Sequence, residues 1–411
     1  MGIEGLLWLL LPVAAASGWW VAQKKPQKRG QTPFPDDYIH GLNYLLTDQS
    51  DRALDVFIRL VDVDPDTVET HLILGNLYRR RGEVDRAIRI HQNLLEKKGL
   101  QDRHRASALL ELGRDFMQAG VFNEAERLFR DLLALGFFKA EAYSQLRSLH
   151  EQEKEWAKAI AVCEQLAEVT DEPQNVLIAH YHCEIGEAAF AKAETQRGAE
   201  HARRALSFDH DCVRASLLLA DIAQSQGNSR QAIEHLRRVL QQDTRFAALV
   251  LERAGKAFAF LGDELAFEQF LYETIEHDTS ITAAMALVEQ LLKKQKRDAL
   301  DQFLDQQMGE SDVSLRLVLA YLKHRGVRRL GGHLEVRERV VDALQRFLED
   351  RPLYHCQNCG FRSKTHFWHC PSCSQWSTVI PNTKGPQTRV DSVLPKLPPN
   401  QSSGTSMSSH S

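Results

Sequence analysis

The sequence predicts an all-α protein built as a solenoid of paired helices, with an N-terminal transmembrane helix at one end and a small four-cysteine module at the other. Three observations carry that expectation. The chain aligns on itself at a period of about 34 residues, the length of a tetratricopeptide helix–turn–helix unit. Its first 22 residues are almost wholly apolar. Two Cys-x-x-Cys pairs stand close together near the C-terminus.

The apolar stretch from Gly5 to Ala22, with Met1 to Glu4 ahead of it, spans a bilayer core of ~30 Å at helical rise. Trp19 and Trp20 stand where an interfacial aromatic belt belongs, and Trp8 serves the opposite face. Lys24, Lys25, Lys28 and Arg29 follow at once, and no Lys or Arg precedes the segment. A cleavable signal peptide carries its positive charge ahead of the apolar region, so this order reads as an uncleaved anchor at 1–22 and a basic juxtamembrane linker at 23–33. The positive-inside rule then puts the N-terminus outside and the rest of the chain in the cytoplasm. A reducing compartment agrees with four free thiolates.

Residues 34–350 form the repeat array, about eight or nine tetratricopeptide units. The first unit carries Gly41, Tyr44, Ala53, Phe57 and Pro65. The second carries Leu74, Gly75, Tyr78, Gly82, Ala87 and Leu94, and the third Leu112, Gly113, Phe116, Gly120, Ala125, Phe129 and Leu132. Small residues at the eighth and twentieth positions let the two helices of a unit approach closely. Large side chains at the eleventh and twenty-fourth fill the gap between units. Stacked units bury a continuous core and leave a binding groove lined by their first helices. Asn76, Arg79 and Arg114 are the candidate contacts there for acidic groups on a partner, weighed against a role as solvated helix-face residues.

Composition limits the function classes. With 43% hydrophobic and 26% charged residues the chain is ordinary for a helical protein carrying one anchor, and a formal net charge of −4 gives no reason to expect nucleic acid. Cys163, Cys183 and Cys212 fall singly in repeat helices and read as small core residues. His180 and His182 flank that pattern and read as surface or packing groups rather than ligands. No phosphate loop, Gly-x-Ser-x-Gly elbow or His-Glu-x-x-His occurs, so no catalytic residue is assigned.

The C-terminal module, residues 351–381, holds Cys356, Cys359, Cys370 and Cys373. Two such knuckles can bring four thiolates onto one tetrahedral ion at ~2.3 Å. So small a unit buries little core, and metal ligation must supply its folding energy. The closed site has no open position for Lewis-acid chemistry, and sulfur ligation suits either zinc or iron. An iron–tetrathiolate electron carrier is therefore a competing reading, as is a generic tetratricopeptide scaffold, either membrane-tethered or periplasmic with its leader removed. The short join after the last helical segment predicts that the module docks on the last repeats and covers the C-terminal end of the array. The polar tail, 382–411, is expected to be disordered.

Taken together, the membrane helix ending in a Lys/Arg cluster, the tetratricopeptide region and the closing Cys-x-x-Cys-Gly-Phe … Trp-x-Cys-Pro-x-Cys-x-x-Trp motif resemble the lipopolysaccharide assembly protein B family of Gram-negative bacteria. The resemblance covers nearly the whole chain, and its specific part is the rubredoxin-type module. It implies metal ligation by Cys356, Cys359, Cys370 and Cys373. It also implies an inner-membrane adaptor that promotes degradation of the deacetylase LpxC by the membrane protease FtsH and gathers lipopolysaccharide-synthesis proteins. One departure stands out: rubredoxins usually carry Gly after the last Cys of each knuckle, and here Ser374 follows Cys373.

Overall fold

The computed structural model describes residues 68–277, 281–309, 313–324, 334–349 and 351–382, together with Tyr44, Arg52 and Val56. The expected anchor, the basic linker and nearly all of the first repeat lie outside the described residues, as does the tail from 383 onward. Among the described residues no helix is long and apolar enough to cross a membrane.

Helices come in antiparallel pairs, as the period predicts. They are α1 (Val68–Arg80) with α2 (Val84–Glu96) and α3 (Asp102–Ala119) with α4 (Phe122–Leu135); α5 (Lys139–Gln152) and α6 (Trp156–Thr170) follow in the chain. Next come α7 (Asn175–Ala191) with α8 (Thr195–Phe208), and α9 (Val213–Ser225) with α10 (Ser229–Gln242). The last pairs are α11 (Ala247–Leu261) with α12 (Glu264–His277), α13 (Thr282–Lys293) with α14 (Arg297–Met308), and α15 (Leu315–His324) with α16 (Leu334–Glu349). First helices begin at 68, 102, 139, 175, 213, 247, 282 and 315, so 33 to 38 residues apart. The chain divides into two compact units, Met1–Leu149 and His150–Ser411.

In the first unit the small residues do what their spacing predicts. A Cβ on Gly75 would lie 2.3 Å from His91 Nε2, and one on Gly113 would lie 2.4 Å from Phe129 Cε1. Each glycine thus lets a ring of the second helix lie against the backbone of the first. Gly120, at φ +74°, ends α3 in the left-handed conformation, and its N–H closes the last turn. Ala87, Leu94, Ala125, Phe129 and Leu132 are all buried.

The second unit repeats this packing. Gly186 of α7 and Gly198 of α8 face each other so closely that a Cβ on either would stand 3.1 Å from the other's carbonyl oxygen. Two first helices depart from an amphipathic stripe. In α7 every residue from Ile178 to Cys183 is buried, and in α9 every residue from Val213 to Ala220 is buried. A helix buried all round is covered on both faces. Neighbouring helices cover one face; the C-terminal module covers part of the other. Cys163, Cys183 and Cys212 are buried core residues, with the last two sulfurs 3.8 Å apart.

The module is a three-stranded antiparallel sheet of β1 (Tyr354–Cys356), β2 (Arg362–Ser363) and β3 (Val379–Pro381), in the order β2-β1-β3. Cys356 pairs with Val379 and Tyr354 with Ser363. The expected docking place has to be corrected. β3 and its neighbouring rings rest on the middle of the unit, against α7, the start of α9 and the short 3-10 helix Thr244–Phe246, rather than on the last repeats. Glu151, Trp156, His180, Tyr181, Arg214 and Phe246 are the aromatic and polar partners of the module's tryptophans.

Candidate metal centre and its docking face

Each Cys-x-x-Cys pair sits on a tight turn. In the first, the Gly360 N–H donates to the Cys356 carbonyl at 3.0 Å; in the second, the Ser374 N–H donates to the Cys370 carbonyl at 2.9 Å. Both turns need a left-handed residue after the second cysteine, with Gly360 at φ +75° and Ser374 at φ +53°. Glycine takes that conformation without steric cost, whereas Ser374 is strained.

The two turns bring the sulfurs together. Cys356 Sγ lies 3.7 Å from Cys373 Sγ, Cys359 Sγ lies 3.7 Å from Cys370 Sγ, and all four lie within 4.8 Å of one another. A tetrahedron with metal–sulfur bonds of ~2.3 Å has edges of ~3.8 Å, so the donor set fits one ion. Burial opposes ionisation of Cys356, yet a hydrogen bond with Thr378 and the backbone N–H groups of Cys359 and Asn358 hold its thiol down to about 6. An ion here would be held by four sulfurs with no position left for substrate.

The module's rings form the docking face. Trp376 is buried against the array: it stacks on His180 at 5.1 Å and meets Tyr181 edge-on at 5.9 Å and Trp156 at 6.2 Å. Its indole N–H donates to Glu151 Oε1 at 3.0 Å, and the Tyr181 hydroxyl donates to the same oxygen. Arg214, held by Glu184 and Glu187, places its guanidinium 5.8 Å from the Trp376 ring. Trp368 stacks on Phe246 at 5.5 Å, and His180 Nε2 meets the Ser377 hydroxyl. Burial, reinforced by Arg214, pushes His180 down to about 3, so the ring is neutral at the interface.

No sequence motif marks His180, Tyr181, Glu151, Trp156 and Arg214 as partners of the module. The sequence signal for two of them is the run Val176–Cys183, which carries no Asp, Glu, Lys or Arg, where an ordinary repeat helix sets a charged face against its apolar stripe.

The groove residues named from the sequence converge in the first unit, but on one another. Arg79 donates to Asp115 Oδ1 at 2.8 Å, to Glu111 Oε2 at 2.6 Å and to Asn76 Oδ1 at 2.7 Å, and Arg114 donates to Glu111 Oε1 at 2.7 Å. Asp115 also holds His91 Nδ1 at 2.5 Å. Arg79 is thereby engaged by two carboxylates of α3. Arg114, with a single carboxylate partner and a third of its side chain exposed, is the more accessible of the two.

Comparison with known proteins agrees with the geometry. Residues 354–381 match the model of a rubredoxin metal binding domain, while 70–106, 142–177 and 214–243 match tetratricopeptide repeat models. The chain is 35% identical over 382 residues to the lipopolysaccharide assembly protein B of Escherichia coli K12, covering 92% of this chain and 97% of the relative. The chain belongs to the lipopolysaccharide assembly protein B family. The Haemophilus influenzae member is 32% identical over 390 residues, covering 92% of this chain and 98% of its own. Among solved structures, the crystal structure of MamA aligns with a TM-score of 0.32 at 21% identity, covering 45% of this chain and 96% of that one. In this family member the repeats and the four-cysteine module thus occur together, with the four sulfurs clustered at metal-binding distance in a rubredoxin-type domain.

Proposed function

We propose that this chain is a non-catalytic adaptor in the assembly and control of lipopolysaccharide, tethered to the inner membrane by residues 1–22 with its repeats and metal module on the cytoplasmic side. In this reading it promotes degradation of the deacetylase LpxC by the membrane protease FtsH and gathers lipopolysaccharide-synthesis proteins. The observation that carries the proposal is similarity to lipopolysaccharide assembly protein B over 92% of the chain, through both the repeats and the module. Tethering would concentrate the repeats near membrane partners without any new contact.

Cys356, Cys359, Cys370 and Cys373 serve in this reading as structural ligands of zinc or iron. The ion keeps the knuckles in shape so that Trp368 and Trp376 can rest on the first-helix face, and in the first unit Asn76, Arg79 and above all the more exposed Arg114 are the partner contacts of this reading. The test is expression of the full chain in a Gram-negative host depleted of its own family member. LpxC should fall to a low level when FtsH is active and stay high when FtsH is inactive. An LpxC level indifferent to the chain would overturn the adaptor reading, and an active phosphatase fused after Ser411 would overturn the topology.

A further inference from the structure

A second site lies away from the metal module. Helices α8, α9 and α10 enclose a cleft of about 720 Å³, within the range of ligand-binding cavities. Leu219 and Ile222 of α9 belong to its apolar lining, and Gln226 at the end of α9 adds a side-chain amide. Arg203 comes from α8, while His235 and Arg238 come from α10.

The charge at this cleft is unbalanced. Three of the four other arginines of the same two helices are neutralised, Arg197 by Glu194 at 2.9 Å, Arg204 by Glu200 at 2.7 Å and Arg237 by Glu273 at 2.6 Å, while Arg230 lies outside the cleft. Among the described residues no carboxylate lies within 4.0 Å of Arg203 or Arg238, and none lines the cleft. Both arginines line the same cleft as His235. His235 is lowered by burial first, then by Arg238 and Arg203, with Glu234 opposing.

We propose that this cleft binds an acidic peptide segment of a partner protein, with carboxylates on Arg203 and Arg238 and an apolar side chain against Leu219 and Ile222. Guanidinium forks match carboxylates in a bidentate fashion. Because the two forks stand on different helices about an apolar lining, they suit charges spread along an apolar body, as in a peptide, better than one compact anion. The site is independent of the adaptor assignment, which can fail in cells while this binding stands.

The test uses the full chain in detergent micelles and a fluorescein-labelled peptide of alternating Glu and Leu, read by anisotropy. The acidic peptide should bind, and its counterpart with Lys for Glu should not. R203E/R238E should weaken binding by at least roughly tenfold, and R203Q/R238Q, which introduces no new charge, should also weaken it. Arg230→Glu, on α10 outside the cleft lining, should leave it unchanged. R203E/R238E should gain affinity for the Lys peptide, an outcome that a misfolded variant would not give. Equal binding by the double variants and the parent, or equal binding of the two peptides, would overturn the proposal. Displacement of the acidic peptide by inorganic phosphate, in preference to acetate at equal ionic strength, would make this a phosphate site and overturn it as well.

Discussion

Replacing His180 by Ala tests whether the metal module is held on the repeats by the contacts described. His180 lies on α7, outside the module, so its removal leaves all four cysteines and the sheet intact. It removes the stack on Trp376 at 5.1 Å, worth about 1 kcal/mol. It also removes the hydrogen bond to Ser377, worth about 1 kcal/mol net. The remaining buried ring surface contributes on the order of 1 kcal/mol more. Together these amount to about 3 kcal/mol, so the undocked population should rise roughly a hundredfold. Metal analysis should still find one ion per chain. Tryptophan emission should shift to the red, and hydrogen exchange should quicken over 178–183 and 376–381. Unchanged protection in both segments, with the metal retained, would refute this account of docking and leave the other contacts of Trp376 as its basis.

Four further outcomes follow from the same geometry. Replacing Cys356 by Ser should release the metal and unfold 351–381; hydrogen exchange should then quicken in α7 and α9 and not in α15 and α16, because the module rests on the former. Ser374→Gly removes a left-handed non-glycine residue at φ +53° and should stabilise the module by about 1 kcal/mol, measured as slower metal loss to a chelator. Gly113→Ala would place a methyl 2.4 Å from Phe129 and should cost about 1–3 kcal/mol in chemical denaturation of the first unit. His180 ordinarily titrates at 6.5 and is held near 3 in the fold, so the unfolded chain binds a proton first; its contribution is complete above pH 6.5 and is lost as pH falls toward 3. The slope of stability against pH below 6.5 should therefore be shallower in His180→Phe than in the parent.

Much of this architecture is legible in the sequence because its causes are local. A helical hairpin needs small residues where its helices touch, so Gly75, Gly113 and Ala125 mark the repeats at fixed spacing. A four-sulfur site needs two tight turns, so the Cys-x-x-Cys pairs mark the metal centre. The same knuckle pattern even exposes Ser374 as the odd residue, and its positive φ shows the cost of that substitution. Arg79 and Arg114, by contrast, show where local reading ends. Their charge is visible in the sequence, but their engagement by Glu111 and Asp115 depends on α1 lying beside α3.

The place of the module was decided only by tertiary structure. From the sequence, a short join predicts docking at the neighbouring end of the array. Trp376 instead reaches Glu151, which is 225 positions earlier in the chain. No local propensity encodes a contact of that separation; it depends on successive repeats bringing Glu151, His180 and Arg214 onto one face, where ring stacking and a shared carboxylate hold a tryptophan from the far end. The sequence by itself determined the units, because each is stabilised by neighbours in the chain. Which unit receives the module was set by the stacked surface, because that surface exists only after the repeats have packed.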